Sequence, residues 1–257
     1  MVEVWYNGQA GNNLFQYFLA RCVCKEKKYA LTHHHRHTQS NSVTIKNDFL
    51  FFNGIKLPKN IKGNIFKNNS NTYTKHFFNW GKVKEKDGKI ILNGFFQNYE
   101  FYKPYKDFIK KEISQYNDLT ISHPFNDNDI IIHLRLKNYP STLPLSFYDD
   151  ILKQGNFKKI WIISDMKNHP TITYLKRIYG AQLVEGNSHQ HLLYIINAPN
   201  IIMSQSTFCW WGAWLSSAHI IYFPVFETYN SKKLWCENSP RNIDLWVNEK
   251  NYKKIKI

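Results

Sequence analysis

Three short segments carry side chains suited to holding and neutralising phosphate. The first runs Asn200-Ile201-Ile202-Met203-Ser204-Gln205-Ser206-Thr207-Phe208-Cys209-Trp210-Trp211-Gly212-Ala213-Trp214-Leu215. An apolar strand leads into a hydroxyl-bearing turn, and an apolar helix follows at once. In an α/β sheet such a turn lies outside the carboxyl end of its strand, where ligands collect. The free N–H groups at the head of the helix and the positive end of its dipole face the same place. Ser204, Ser206 and Thr207 add hydroxyls that can meet phosphate oxygens. A Ser/Thr cap in front of a buried helix explains the same residues without a ligand, and taken alone the segment favours the cap.

The second segment is His133-Leu134-Arg135, at the end of the apolar run Ile130–Leu134. Side chains two apart on a strand share a side. A guanidinium is planar, permanently charged and bidentate, which suits a diphosphate. An arginine salt-bridged at a strand end is the plainer alternative. The third is Gly8-Gln9-Ala10-Gly11-Asn12-Asn13-Leu14-Phe15-Gln16-Tyr17, read as a turn over Gly8–Asn13 between a strand and a helix. Glycines there let backbone approach a ligand closely. The spacing departs from G-x-G-x-x-G, which argues against a nicotinamide dinucleotide site. A tight turn and helix cap fit as well. Asp165, following Ser164 at a strand end, is a candidate to line a nucleotide pocket.

Two patterns suggest metal and are read otherwise. His33-His34-His35-Arg36-His37 resembles a metal tract. Consecutive residues rarely close a coordination sphere, so a polar loop is expected. Asp127-Asn128-Asp129 matches a D-x-D pattern but precedes its strand, at the end of the sheet away from the crevice, so a turn is expected.

The elements that must position these residues differ between halves. From residue 129 onward strands and helices alternate: a strand at 130–134, a helix at 147–154, a strand at 159–164, a helix opened by Pro170, a strand at 181–185, a helix at 189–197, a strand at 200–204, the Trp-rich helix and a strand at 219–223. That spacing implies a parallel, doubly wound sheet. The first half opens strand–turn–helix, with Phe15, Phe18, Leu19 and Cys22 as the apolar stripe. A strand at 28–31 is possible, residues 32–88 are polar and weakly periodic, 90–96 reads as a strand and 100–114 as a helix. The domain boundary is expected in Asn117–Asn128, a polar stretch carrying Pro124.

At 257 residues the chain has room for one large or two modest domains. Hydrophobic residues at 43% support a packed core. Lys+Arg 34 against Asp+Glu 19 gives +15, which suits nucleotide phosphates, an acidic membrane face or nucleic acid. Much of this is compositional drift, since Lys and Asn crowd the chain. Lys250, Lys253, Lys254 and Lys256 read as a tail, without the interleaved aromatics of a single-strand groove, so nucleic acid is not expected as a partner. Cys22, Cys24, Cys209 and Cys236 show no zinc-type spacing and read as reduced thiols. The opening residues read as a strand rather than a leader, and no apolar run is long enough to span a bilayer. A cytoplasmic protein is expected, peripheral at a membrane if it meets one.

Taken in order, these segments resemble the α-1,2-fucosyltransferases of glycosyltransferase family 11. The family's G-x-G-N-Q-M-F-Q-Y turn corresponds to Gly11-Asn12-Asn13-Leu14-Phe15-Gln16-Tyr17, and its G-Y/F-F-Q strand to Gly94-Phe95-Phe96-Gln97. Its H-x-R-x-G-D-Y segment corresponds to His133-Leu134-Arg135-Leu136-Lys137-Asn138-Tyr139, and its N-S-S/T-x-S-W-W-x-A-x-L helix to Gln205 through Leu215. The resemblance spans nearly the whole chain, with the middle of the first half poorly matched. It implies an α/β protein of two Rossmann-like domains in the B-type glycosyltransferase architecture: an acceptor-side domain over 1–122 and a nucleotide-sugar-binding domain over 123–257. It also implies an inverting, metal-independent transfer, with no cofactor beyond the nucleotide-sugar donor. The sugar, fucose or another, would pass to a hydroxyl of a glycan or lipid-linked glycan.

In that scheme Arg135 supplies the main countercharge to the departing diphosphate. Ser204, Ser206 and Thr207 assist, and Gly11 and Asn12 meet the phosphates from the other domain. His133 contacts the base or ribose, Asp165 lines the pocket, and Glu100 and Glu3 are the nearest candidates for the acceptor's base. Two departures bear on the donor. The family's Gly-Asp is Lys137-Asn138 here, and an acidic residue used to bind guanine aligns with His191. A carboxylate accepts from both guanine N–H groups and a histidine does so less well, so GDP-fucose and a UDP-sugar both remain possible donors. A non-catalytic nucleotide- or sugar-binding protein of the same fold is the alternative.

Overall fold

The computed structural model describes residues 1–35, 43–46, 49–52, 55–59, 81–86, 88–119, 125–137, 142–226 and 245–257. It is a mixed α/β structure with parallel sheets. The chain falls into two compact units, one of Met1–Leu119 with Pro240–Leu245, the other of Thr120–Ser239 with Trp246–Ile257.

The first unit contains β1 (Val2–Tyr6), α1 (Ala10–Lys27), β2 (Leu31–His35), β3 (Val43–Lys46), β4 (Phe49–Phe52), β5 (Ile55–Pro58), β6 (Gly81–Lys86), β7 (Lys89–Gly94), α2 (Tyr99–Tyr102) and α3 (Lys106–Tyr116). β1 lies parallel between β2 and β7, and β6 adds antiparallel to β7. β3, β4 and β5 form a separate antiparallel sheet. α1 buries its expected stripe of Phe15, Phe18, Leu19 and Cys22. Leu14, Tyr17 and Val23 are buried as well, so the helix is enclosed on more than one side. Arg21 on α1 pairs with Glu112 on α3 at 2.5 Å, and the Tyr102 hydroxyl donates to the carbonyls of Phe15 and Phe96.

Several local expectations are corrected here. α1 begins at Ala10, so Gly11 and Asn12 belong to its first turn rather than to the preceding loop. The turn is shorter, and Gly8 with φ +84° carries it. Lys28 is not strand: it ends α1 in the left-handed conformation, and the strand starts at Leu31. His33, His34 and His35 lie in β2, not in a loop; Arg36 and His37 fall outside the described residues. The expected single helix over 100–114 breaks at the 3-10 turn Lys103–Tyr105, because Pro104 has no N–H to continue the ladder.

The second unit contains β8 (Ile130–Leu134), α4 (Leu145–Gln154), β9 (Ile160–Ser164), α5 (Pro170–Tyr179), β10 (Gln182–Leu183), α6 (Ser188–Ile196), β11 (Asn200–Ile202), α7 (Thr207–Leu215), β12 (Ile220–Val225) and β13 (Tyr252–Lys256). All paired strands are parallel, in the order β10-β9-β8-β11-β12-β13. β8 is buried at every position, as a central parallel strand covered on both faces must be. Ile130, Ile132 and Leu134 point into a cluster with Ile162, Ile202, Phe147, Ile151, Ile172 and Leu175. By strand alternation Ile131 and His133 point to the other side. The lysine tail is a correction too: Tyr252–Lys256 is a strand on the outside of β12.

α7 is apolar all round and buried from Cys209 to Leu215, with Trp210 and Trp214 stacked at 5.2 Å. It packs on α6 through Gly212, where a Cβ would stand 2.6 Å from Ile195 Cγ2. In an open helix Gly→Ala gains up to about 1 kcal/mol. Gly212→Ala is expected to do the opposite, losing about 1–3 kcal/mol through overpacking. Equilibrium urea unfolding checks the sign, and a raised midpoint would refute this close packing.

Candidate functional site

The order of the second sheet reverses between β8 and β11. From β8 the chain moves outward to β9 and β10, and from β11 it moves the opposite way to β12 and β13. Ligands of open parallel sheets bind outside the carboxyl ends of the strands at such a switch point. Those ends here are His133–Arg135 and Met203–Thr207.

A buried hydrogen bond joins them. His133 Nδ1 lies 2.6 Å from Ser204 Oγ, with His133 5% and Ser204 3% exposed. The ring of Phe208, in the first turn of α7, lies 6.2 Å from the imidazole. Burial pushes the His133 pKa down from 6.5 to about 3. Asp165 opposes the shift, while Arg135 and His191 reinforce it. The imidazole is therefore neutral at physiological pH, a hydrogen-bonding group rather than a cation. Phe208 escaped sequence reading because its neighbours Ser206 and Thr207 drew the inference.

Arg135 is engaged as well. Its guanidinium pairs with Asp165, just past the carboxyl end of β9. The same carboxylate accepts from Leu136 N at 2.8 Å and from Lys137 N at 3.2 and 3.3 Å. Both side chains keep partial exposure, 24% for Arg135 and 21% for Asp165. Ser206 caps α7, its hydroxyl accepting from Cys209 N at 3.5 Å, and Thr207 is the first helical residue. Both are half-buried. The Cys209 thiol is fully buried, and burial raises its pKa to about 12, so it offers no thiolate.

His191 sits in the first turns of α6. Burial lowers its pKa, while a hydrogen bond to the Val184 backbone works against that. Its Nε2 is buried and has no hydrogen-bond partner among the described residues. Gly186, with φ +156°, lets the chain pass close by, where a Cβ would stand 3.2 Å from the His191 ring.

Gly11 and Asn12 belong to the first unit, where Asn12 meets the second quoted motif of that half. Gln97 Nε2 donates to Asn12 Oδ1 at 2.9 Å, and Gln16 Nε2 donates to the Gly94 carbonyl at 2.8 Å. Asn13 Nδ2 donates to the Asn7 carbonyl and to Gln16 Oε1. These amides strap the carboxyl ends of β1 and β7 together, and Phe96, at φ +52°, has its carbonyl held by the Tyr102 hydroxyl at 2.7 Å and by Asn98 N at 3.0 Å. Residues at such angles cost energy and persist where neighbours fix them. Glu100, by contrast, is exposed on α2 and pairs with Lys103 at 3.6 Å. Glu3 is half-buried in β1.

One residue of each metal-like pattern has structural partners. Asp129 is fully buried, its Oδ2 accepting from Asn126 N and from Trp161 Nε1, both at 3.1 Å. His33 bonds the Tyr6 hydroxyl at 2.8 Å and the Lys59 carbonyl at 2.6 Å, and stacks on Tyr6. Among the described residues no group of three or more His, Cys, Asp or Glu side chains could hold a metal ion. No described helix is long and apolar enough to cross a membrane.

The chain matches no protein-family model, no curated protein and no solved structure.

The His133 shift has a thermodynamic consequence. Between pH 6.5 and 3 the unfolded chain binds a proton at this residue that the folded chain refuses, so stability falls as pH drops through that window. From pH 6.5 to pH 5 the loss attributable to His133 is about 2 kcal/mol. His133→Asn removes the titrating ring while keeping a polar group for Ser204. Urea unfolding across pH 5–7 is expected to be flatter for the variant than for the parent. Equal slopes would show that His133 titrates freely in the fold.

Proposed function

We propose that the chain is an inverting, metal-independent glycosyltransferase that moves a sugar, fucose or another, from a nucleotide sugar to a hydroxyl of a glycan or lipid-linked glycan. The observation that carries this is the bond between His133 and Ser204. It ties the H-x-R segment to the head of the Trp-rich helix at the reversal of the sheet. The strand order of the second unit supports a Rossmann-like domain, since 3-2-1-4-5-6 is the order of dinucleotide-binding sheets. The motif resemblance, rather than the geometry, carries the B-type architecture with a second Rossmann-like domain, the inverting stereochemistry and the independence from metal.

In this reading the donor pyrophosphate lies outside β8 and β11. As the glycosidic bond to the diphosphate lengthens, the anomeric carbon gains positive character and the leaving oxygens gain negative charge. Fixed donors stabilise that charge without reorganising. Arg135 is the cation. Ser206, Thr207 and the N–H groups at the head of α7 add neutral donors and the helix dipole. His133, neutral and buried, holds Ser204 and contributes no charge. The charge of +15 suits a substrate presented at an acidic membrane face, met peripherally. A second reading has its own support. The Arg135 charge is already shared with Asp165, which fits a non-catalytic nucleotide- or sugar-binding protein of the same fold.

Thermal unfolding with GDP, UDP and dTDP tests the proposal and identifies the base. A nucleotide at 100 times its Kd is expected to stabilise the chain by about 2.7 kcal/mol. Arg135→Ala is expected to lower the rate of donor turnover roughly 10²–10³-fold, the scale for losing a main transition-state donor. Stabilisation by none of the three, or full activity in the variant, sinks the proposal. Stabilisation without turnover moves the assignment to the binding protein.

A further inference from the structure

We propose that Asp165 is a positioning residue: it holds the Arg135 guanidinium and the backbone of the β8 exit on one carboxylate, and does not touch the ligand. This rests on the crevice at β8 and β11 being the pyrophosphate site. From its sequence position Asp165 is a pocket-lining residue. Its bonds give it different work. Oδ2 takes the guanidinium, Oδ1 accepts from Leu136 N at 2.8 Å, and Lys137 N reaches both oxygens at 3.2 and 3.3 Å. A carboxylate has about four acceptor positions, and these contacts use them, leaving little for a ribose hydroxyl. Direct contact with a pyrophosphate would also set like charges together.

The arrangement suits presentation of an arginine. The carboxylate is anchored just past β9, on the strand paired with β8, while the residues it grips lie 28 to 30 positions earlier in the chain. It therefore fixes the side chain and the backbone that bears it together. An arginine held in place before the ligand arrives loses less rotamer freedom on binding than a mobile one. Asparagine cannot substitute, because its amide group would turn N–H donors toward other donors.

The test uses Asp165→Asn in the full chain with two readouts. Amide hydrogen exchange of the ligand-free protein is expected to quicken at Leu136 and Lys137 while the β8 amides stay protected. Calorimetric titration with GDP and UDP is expected to show affinity lowered by roughly 10–100-fold, the scale on which losing an outer partner weakens a charged site. Guanosine and uridine, which lack the phosphates, should bind as they do to the parent. Unchanged diphosphate affinity overturns the proposal. So does an equal loss for nucleoside and diphosphate, because Asp165 would then touch the nucleoside itself. If the parent chain binds neither diphosphate, the donor-site reading fails, and exchange at Leu136 and Lys137 alone decides whether Asp165 holds the loop. Should Asp165→Asn not fold, Arg135→Lys is measured with the carboxylate intact. Exchange protection is then expected to persist while diphosphate affinity falls, and full affinity in that variant would overturn the proposal.

Discussion

The second unit is organised around one buried hydrogen bond. His133 and Ser204 end two adjacent strands whose continuing chains diverge, and the bond closes the gap between them. Both groups are buried, His133 at 5% and Ser204 at 3% exposure. A buried polar group without a partner costs about 1–3 kcal/mol, so each residue fixes the other's orientation. The neutral state of the imidazole follows from the same burial. With His133 uncharged, the positive charge at the strand tips comes from Arg135, and Asp165 then sets where that charge points.

Much of the second unit was legible in the sequence. Ile130–Leu134 and Asn200–Ile202 are isoleucine-rich and buried at every position, as central parallel strands require, with His133 and Asn200 the polar exceptions. Helices with one apolar face separate them, and Pro170 marks the start of α5. The first half was harder to read. Its sheets mix parallel and antiparallel strands of four to six residues. Short strands of that kind carry too few alternating residues for a period to emerge. Tyr252–Lys256 was missed for a related reason: an edge strand faces solvent, and its lysines resemble a tail.

At the site, residue types were legible and partners were not. His133, Ser204, Arg135 and Asp165 were all singled out from the sequence. The bonds between them span 30 and 71 residues, and no local pattern encodes such pairings. The motifs of the first half show the same limit. Gly94-Phe95-Phe96-Gln97 is uninformative by itself, yet Gln97 donates to Asn12 and the Gly94 carbonyl accepts from Gln16. His33 is the converse case. A histidine tract suggests metal, and in this structure the His33 ring stacks on Tyr6 and bonds a phenol and a carbonyl.

β13 closes one side of the second sheet among the described residues, and its outer row of N–H and C=O groups lacks a neighbouring strand. Such a row is a template on which another copy could grow a continuous ribbon. Lys253, Lys254 and Lys256 stand along it, with Lys253 over the Tyr222 ring and Lys254 over the Trp246 ring. Two molecules docking side to side would press these ammonium groups together, and the repulsion opposes fibre growth at the cost of only a few exposed cations.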